Sequence, residues 1–422
     1  MVFISVLAPS RVSTFAVRSE VWRSKSLRGA GFALGVYALT RLFVVAAVVI
    51  AGRHQIAIPA SLPEYHSSVP TGSAPGYWTI MTNWDGQWYG DIATHGYPAV
   101  LPVDAAGNVM QNAWGFYPAY PLLVGGLMWV TGLGFTLVGP AVSLILGAVA
   151  VVVLFRLVQD ALGVTAARTA TVFTCTFLSA PALQAAYTES LALLLLCSTL
   201  LLLRRRRYVW TVLAILLLAL TRNVVLAMAP VVLLHGAVRW RARADGQFPT
   251  SDRVAVGCLA GLSVAAAGLW PAIAAVVTGD SSAYTQSIAA WGGGLRVLVA
   301  WPRTLFNASG PAGLVVFFVL LFCFFGLLAR PAARRWGPEL WGWAVAYPCY
   351  LLVATDLQPS TLRHLLLGFP LSLMAIDFLR SMSSRIVRTC VLTITVCGGL
   401  ALQWFWVADL LVVTDPAHQL FP

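Results

Sequence analysis

The sequence predicts an all-α polytopic membrane protein, and three observations support this fold class. Of 422 residues, 59% are hydrophobic and only 10% are charged, whereas about a quarter of the residues in a soluble domain are charged. Apolar runs of membrane-helix length recur along most of the chain. The net charge of +12 comes from arginines dispersed between these runs, which is typical of membrane topology and argues against nucleic acid as a partner.

The first element is a basic tail followed by one apolar helix. Residues 1–28 contain five basic side chains. Because positive flanks stay in the cytoplasm, the helix at 31–51 is predicted to be an uncleaved anchor that runs outward. Residues 29–411 are predicted to form a single integral-membrane domain, and residues 412–422 an outer tail.

Ten further apolar segments predict a bundle of about 9–12 transmembrane or re-entrant helices. They lie near residues 116–133, 136–155, 169–186, 188–203, 208–235, 254–278, 312–329, 338–354, 364–379 and 387–411.

Simple alternation of these segments fails between the second and the sixth helix, because it places the basic run Arg204–Arg207 outside. The conflict disappears if 172–186 is a re-entrant half-helix and if 208–235 turns at 221–223 as two short helices. Re-entrant backbone is tolerated only where protein or a watery cavity covers it, so this arrangement predicts a cavity.

Residues 52–113 form the longest polar stretch, and we predict that this outer loop is the catalytic one. Polar groups are costly beside a bilayer, so their concentration indicates function. Four of the fifteen acidic residues of the chain lie in it: Glu64, Asp85, Asp91 and Asp104.

A short helix is expected inside this loop. Asn83 can cap it, Asp85 falls in its first turn, and Gly96 can end it. Apolar residues at every fourth position give it one face suited to the membrane interface: Trp84, Trp88 and Ile92. Asp85 would then lie at the bilayer surface, where a lipid-linked substrate presents its head group. The alternative is an aromatic-belt helix with a capping aspartate.

Two arginines stand at the borders of apolar runs, where charges are rare. Arg222 interrupts one run, and Arg363 begins another on the predicted outer side. A planar guanidinium binds a phosphate through two parallel hydrogen bonds, so both are candidates for binding a lipid phosphate. Snorkelling at a helix end is the alternative for Arg363.

Five motifs occur in a fixed order between residues 83 and 371. They are Trp84-Asp85-Gly86-Gln87-Trp88-Tyr89 followed by Ile92-Ala93-Thr94-His95-Gly96-Tyr97-Pro98, then Phe116-Tyr117-Pro118-Ala119-Tyr120-Pro121-Leu122, then Tyr187-Thr188-Glu189-Ser190-Leu191, then Thr221-Arg222, and finally Arg363-His364-Leu365-Leu366 with Phe369-Pro370-Leu371. Together they resemble the GPI mannosyltransferase 2 family and its bacterial relatives. That family belongs to the GT-C class of polyprenyl-phosphate-sugar-dependent glycosyltransferases. Asn223 and His364 stand where the family usually has proline and tyrosine.

The resemblance implies a GT-C-like bundle that performs inverting mannosyl transfer at the outer face. The donor would be polyprenyl-phosphate mannose, and the acceptor a glycolipid, a lipoglycan or a protein. By its position in the motif, Asp85 is the catalytic base. The donor phosphate would bind Arg363, Arg222 and His364. Substrate-binding or supporting residues would be Trp84, Gln87, Tyr89, Asp91, His95, Tyr187 and Glu189. For Asp91 the alternative is a solvated loop carboxylate, and for Glu189 a neutral buried carboxyl group.

No cofactor is expected to be required. The seven cysteines lie mostly in apolar runs, and neither they nor the histidines show metal-ligand spacing, so a divalent metal is not indicated, although its involvement stays open. The composition favours a bacterial plasma membrane, with the site on the periplasmic face and membrane lipids around it. The oligomeric state stays open. Two other functions are considered: a lipid or sugar transporter or flippase, and a non-catalytic subunit of a mannosyltransferase complex.

Overall fold

The computed structural model describes most of the chain. Glu64 and part of the predicted basic tail lie outside the described residues. Of residues 11–26 only the backbone is described. The described ranges are 11–59, 65–67, 69–241, 248–294 and 299–422.

Helices make up nearly all of the regular structure. The α-helices are α1 Arg11–Ala51, α2 Tyr77–Ile80, α3 Asp85–His95, α4 Ala119–Thr131, α5 Phe135–Leu162, α6 Val164–Cys175, α7 Glu189–Arg204, α8 Tyr208–Ala219, α9 Met228–Arg241, α10 Thr250–Ala267, α11 Leu269–Thr278, α12 Ala283–Ala290, α13 Ala300–Ala329, α14 Pro331–Arg334, α15 Pro338–Ala354, α16 Thr361–His364, α17 Ser372–Ser381 and α18 Arg385–Phe405. Short 3₁₀ turns lie at Gly52–His54, Ala113–Gly115, Ala180–Leu183, Val225–Ala227 and Leu365–Leu371, and a π turn at Trp406–Leu411.

Six helical segments within the described ranges are long and apolar enough to cross a membrane. They are Leu27–His54, Phe135–Leu162, Thr250–Thr278, Ala300–Ala329, Thr361–Ser381 and Arg385–Leu411. The described residues form no strand beyond two isolated β-bridges. The prediction of an all-α polytopic membrane protein is therefore confirmed.

One end of the bundle is held together by arginine ion pairs, and we call it the basic end. Arg205 Nη2 lies 2.7 Å from Asp160 Oδ2 and so joins the C-terminal ends of α7 and α5. Beside it, the buried Glu339 at the start of α15 pairs with Arg204 at 3.2 Å and with His235 of α9 at 2.6 Å. A buried carboxylate without a partner would strongly destabilise the folded protein. The two partners of Glu339 therefore stabilise this end of the bundle.

Helix α4 does not reach the basic end, contrary to the prediction that its segment crosses the membrane. Tyr120 near its start donates to Gly139 O at 2.8 Å and is 2.9 Å from Ser143 Oγ, both in the first third of α5. Ala119 N donates to Leu220 O, at the end of α8. With thirteen residues, α4 is about 20 Å long, whereas the hydrocarbon core is about 30 Å thick.

The outer side of α4 is apolar and exposed. Trp129 is 86% exposed and Val130 71%, and Leu122 and Leu127 lie on the same helix with exposed side chains. A short helix with such a face is suited to lie along the membrane interface.

Because α4 does not cross, the predicted re-entrant helix at 172–186 is wrong. The chain leaves the basic end at the end of α5 and returns along α6 and the irregular segment 176–188. Ser179 of that segment donates to Leu362 O at 2.9 Å, next to Arg363. Helix α7 then runs back from Glu189 to the basic run after Arg204. The predicted turn at 221–223 is confirmed, since α8 ends just before it and α9 follows.

The irregular segment is fixed by a buried cation of α1. Arg41 is 4% exposed, and its guanidinium donates to the carbonyl oxygens of Ala180 and Cys175. Cys175 is the last residue of α6, where the helix dipole favours a positive charge. Arg41 thereby anchors the backbone that leads to Tyr187 and Glu189.

Candidate active site

Asp85 begins α3 immediately after a strained residue. Trp84 has φ +58° and ψ −119°, a conformation that costs a non-glycine residue about 1–3 kcal/mol. Two side chains hold the turn to the end of the last helix. Asn83 Nδ2 donates to Leu411 O at 3.0 Å, and Trp84 Nε1 donates to the same oxygen at 3.1 Å. Ile56 N also donates to Val413 O at 3.1 Å.

The predicted start and end of α3 are confirmed, but the predicted cap by Asn83 and the predicted membrane-facing side are wrong. Asp85 lies in the first turn, and Gly96 ends the helix with φ +77°. Asn83 does not cap the helix, because its Oδ1 accepts from Gln55 Nε2 at 3.5 Å and from the Tyr65 hydroxyl group at 3.4 Å instead of from the helix backbone. The side of α3 that was predicted to face the membrane packs against other parts of the protein. Ile92 is 1% exposed, and the Trp88 ring stacks on the His66 ring.

Arg363 lies in α16, directly above the ring of Tyr187. Its guanidinium carbon is 4.7 Å from the ring centroid, a distance at which the aromatic face attracts a cation. Tyr187 is fully buried and donates to Asn83 O at 3.0 Å. The predicted residues Tyr187 and Arg363 therefore meet the loop turn that carries Asp85.

Four charged residues from four separate segments form one cluster. Arg363 Nη2 lies 2.5 Å from Asp85 Oδ2, and Arg363 Nε lies 3.0 Å from Glu189 Oε1. Arg222 Nη2 binds the same oxygen of Glu189 at 2.8 Å, and its Nε donates to Thr188 Oγ1 at 3.1 Å. Two carboxylates thus face two guanidinium groups, so the ionised cluster has no net charge.

Burial within this cluster is uneven. The side chains of Glu189 and Arg363 are 0% and 5% exposed, whereas that of Asp85 is 27% exposed. Arg363 Nη1 and Glu189 Oε2 are buried atoms without a hydrogen-bond partner. A buried donor that lacks a partner is costly, so Nη1 is free to bind an incoming acceptor oxygen.

The cluster opens into a cavity of about 270 Å³ with an aromatic wall. Asp85, Tyr89, Arg222, Arg363 and His364 line it among the predicted residues. Other aromatic residues that line it were not predicted as site residues: Phe116, Tyr117, Tyr284, Tyr347 and Tyr350. Phe116 and Tyr117 belong to a motif, whereas the other three lie outside the motifs. Burial raises the pKa of Tyr89, so its phenol stays a neutral hydroxyl group at physiological pH.

Asp91 and His95 do not join this cavity. They line a second one of about 320 Å³ on the other side of Trp88. Asp91 Oδ2 is 2.5 Å from Nε2 of His66, and its Oδ1 is 3.7 Å from Nδ1 of His95. Gln87 also faces away from Asp85, since its Nε2 donates to Thr82 O at 2.9 Å.

An apolar groove of about 520 Å³ is lined by residues of α6, α17 and α18 and of the 3₁₀ turn that follows α16. Leu365 and Leu366, which follow Arg363 and His364 in the chain, form one side. Small residues from three helical segments also line it: Thr174, Gly368, Ser372, Ala375, Thr395, Gly398 and Gly399. The groove could therefore hold a branched hydrocarbon chain.

Within the described ranges, no group of three or more histidine, cysteine, aspartate or glutamate side chains could hold a metal ion. The cation that Asp85 and Glu189 face in this structure is the guanidinium of Arg363.

No family model and no curated protein matches this sequence. Among solved structures, it is similar to the crystal structure of ArnT from Cupriavidus metallidurans bound to undecaprenyl phosphate. The TM-score is 0.47 and the identity 13%, over 89% of this chain and 69% of that chain.

Two oligosaccharyltransferase structures from Archaeoglobus fulgidus are also similar. The archaeal oligosaccharyltransferase AglB, in complex with an inhibitory peptide and a dolichol-phosphate, has a TM-score of 0.43 and 14% identity over 92% of this chain and 56% of that chain. For an oligosaccharyltransferase in complex with zinc and sulfate, the TM-score is 0.38 and the identity 17%, over 90% of this chain and 53% of that chain. This chain therefore spans about half the length of these two proteins.

Proposed function

We propose that this chain is an inverting, GT-C-like membrane glycosyltransferase that moves a mannosyl residue from polyprenyl phosphate to a glycolipid or lipoglycan. The observation that carries the proposal is the charged cluster at one end of an apolar bundle. There a partly exposed carboxylate, Asp85, lies beside two arginines in a cavity. A base next to phosphate-binding cations is what transfer from a lipid phosphate requires.

In the proposed reaction, a hydroxyl oxygen of the acceptor attacks the anomeric carbon of the donor sugar. Asp85 takes the hydroxyl proton while the bond between the anomeric carbon and the phosphate oxygen breaks. The electron pair leaves with polyprenyl phosphate, and the anomeric configuration inverts. Arg363 and Arg222 stabilise the charge that develops on the leaving phosphate, and no acid catalyst is needed for a leaving group of this kind.

The donor would bind with its phosphate at Arg363 and its hydrocarbon chain in the apolar groove. The unpartnered Nη1 of Arg363 supports the phosphate position. The groove supports the chain position, because Leu365 follows the phosphate-binding residues directly and the lining is almost wholly apolar. An isoprenyl chain buried there gains about 0.8 kcal/mol for each buried CH₂ group.

The acceptor would approach from the loop side. The second cavity, lined by Asp91, His95 and Tyr97, combines hydrogen-bonding groups with an aromatic ring and suits the polar part of an acceptor glycan. Trp84, Gln87, Tyr187 and Glu189 would act as supporting residues, because their contacts hold the turn and the cluster rather than the open space of a cavity.

The mannosyl specificity rests on the motif resemblance, and donor use tests it. The purified protein would be given membrane lipid extract with polyprenyl-phosphate mannose, glucose or arabinose, or with GDP-mannose. We expect transfer from polyprenyl-phosphate mannose alone, with an anomeric configuration in the product opposite to that in the donor. Transfer from GDP-mannose, or no transfer from any lipid donor, would contradict the proposal.

We further propose that the charged cluster faces the outside of a bacterial plasma membrane, with the basic end in the cytoplasm. This orientation follows the excess of arginine at cytoplasmic ends. In a variant without the seven native cysteines, a membrane-impermeant maleimide should label Ala106→Cys in intact cells. It should label Arg207→Cys only after permeabilisation. Both positions are exposed, so labelling of Arg207→Cys in intact cells would reverse the orientation.

A further inference from the structure

The ion pair between Asp85 and Arg363 joins the proposed base to the proposed phosphate-binding residue. While the 2.5 Å contact is made, Oδ2 of Asp85 is occupied by the guanidinium and does not face an acceptor hydroxyl. We propose that the phosphate of the donor displaces Asp85 from Arg363, so that the base becomes available only after the lipid donor has bound. This inference rests on the proposed function.

The geometry of the guanidinium supports competition for one atom. A guanidinium offers two edges for a two-pronged contact with an oxyanion, Nε with Nη2 and Nη1 with Nη2. On Arg363, Nη2 is bound to Asp85, and Nε lies 3.0 Å from Glu189 Oε1 without forming a hydrogen bond. Nη1 has neither a hydrogen bond nor an ion pair. A phosphate that binds the free edge with two oxygens places one of them at Nη2. Although Nη2 has a second N–H group, Asp85 and the phosphate would then be two anions in contact with one nitrogen, and in the proposed exchange Asp85 leaves.

The burial of the two carboxylates indicates which one gives way. Glu189 is fully buried and shares its Oε1 between Arg222 and Arg363, so removing it from Arg363 would leave a buried charge less compensated. Asp85 is 27% exposed and lines the cavity, so it can turn to solvent or to an acceptor. A donor phosphodiester carries one negative charge, as Asp85 does, and the exchange preserves the charge around Arg363.

The exchange predicts an order of events. Without donor, Asp85 stays held against Arg363 through Oδ2 and is not positioned to take the proton of an acceptor hydroxyl. With donor bound, Asp85 is free at the cavity surface and takes the proton of the acceptor hydroxyl. After transfer, Asp85 loses that proton to solvent, pairs with Arg363 again and so competes with the departing polyprenyl phosphate.

Binding of a sugar-free polyprenyl phosphate to the purified full-length protein tests this proposal. If Asp85 competes with phosphate for Arg363, Asp85→Asn should bind this lipid more tightly than the unmodified protein, on the order of tenfold. The matched control is Asp104→Asn, an exposed carboxylate of the same loop, which should bind as the unmodified protein does. Unchanged affinity in Asp85→Asn would overturn the proposal.

Simple repulsion between Asp85 and the phosphate would also tighten binding, and a double-mutant cycle separates the two causes. Competition acts through Arg363, so the gain from Asp85→Asn should vanish when Arg363→Gln is already present. Repulsion would persist in that background, and a persisting gain would overturn the proposal. Folding of each variant is checked by its thermal unfolding midpoint, and Arg363→Ala replaces Arg363→Gln if the latter does not fold.

Polyprenol, which lacks the phosphate, distinguishes this inference from the function on which it rests. The unmodified protein should bind polyprenyl phosphate more tightly than polyprenol. If it binds both equally, the proposed donor site fails and the exchange fails with it. If it prefers the phosphate but Asp85→Asn brings no gain, only the exchange fails.

Discussion

Replacement of Asp85 by asparagine is expected to lower glycosyl transfer about 100-fold or more, since the loss of a general base has an effect of this size. The amide keeps the shape of the side chain but cannot accept the proton of the acceptor hydroxyl. Lipid binding should not weaken, because Arg363 and Arg222 remain. The measurement is the initial rate of product formation with saturating lipid donor and acceptor.

Two further variants make this result specific to Asp85. Asp104→Asn removes an exposed carboxylate of the same loop and should leave the rate unchanged. Asp91→Asn alters the second cavity and should raise the acceptor KM more than it lowers kcat. A near-normal rate in Asp85→Asn would remove Asp85 as the base and leave it as the partner of Arg363.

Replacement of Arg363 by alanine is the second change with a large expected effect. It removes the buried cation between Asp85 and Glu189. We expect the donor KM to rise and kcat to fall, because the charge on the leaving phosphate grows in the transition state. Loss of one such donor of electrostatic stabilisation lowers kcat by about 100-fold to 1000-fold.

Arg363→Lys tests whether geometry or charge matters at this position. Lysine keeps the charge but cannot form two parallel hydrogen bonds, so donor use should still fall below that of the unmodified protein. The matched control is Arg53→Lys, at an exposed position after α1, where the same change should have no effect. Unchanged donor affinity in Arg363→Ala would contradict the proposed phosphate site.

The residues of the charged cluster could be named from sequence, but their pairing could not. Charges at the borders of apolar runs are unusual enough to single out Arg222 and Arg363, and the motifs single out Asp85 and Glu189. The contact between Asp85 and Arg363 joins positions that are 278 residues apart in the chain. Nothing in a single sequence indicates which of two such distant residues will be in contact.

The errors in topology have a physical cause. Hydropathy counts apolar residues, and a short helix that lies along the interface is as apolar as one that crosses. Hydropathy therefore predicts a crossing helix at the thirteen residues of α4, and the charge pattern then requires a re-entrant half-helix at 172–186. The aromatic side of α3 was misplaced for a related reason, because an apolar face packs equally well against lipid or against protein such as the His66 ring.

The contacts between the Asp85 turn and Leu411 constrain how the protein is made. Asn83 and Trp84 emerge from the ribosome more than three hundred residues before the carbonyl oxygen that both of them bind. During synthesis the turn lacks this partner until Leu411 is added. Asp85 likewise lacks Arg363 until that residue has been synthesised. The candidate active site therefore gains its contacts with Leu411 only after that residue has been synthesised, and a chain released before Leu411 would lack them.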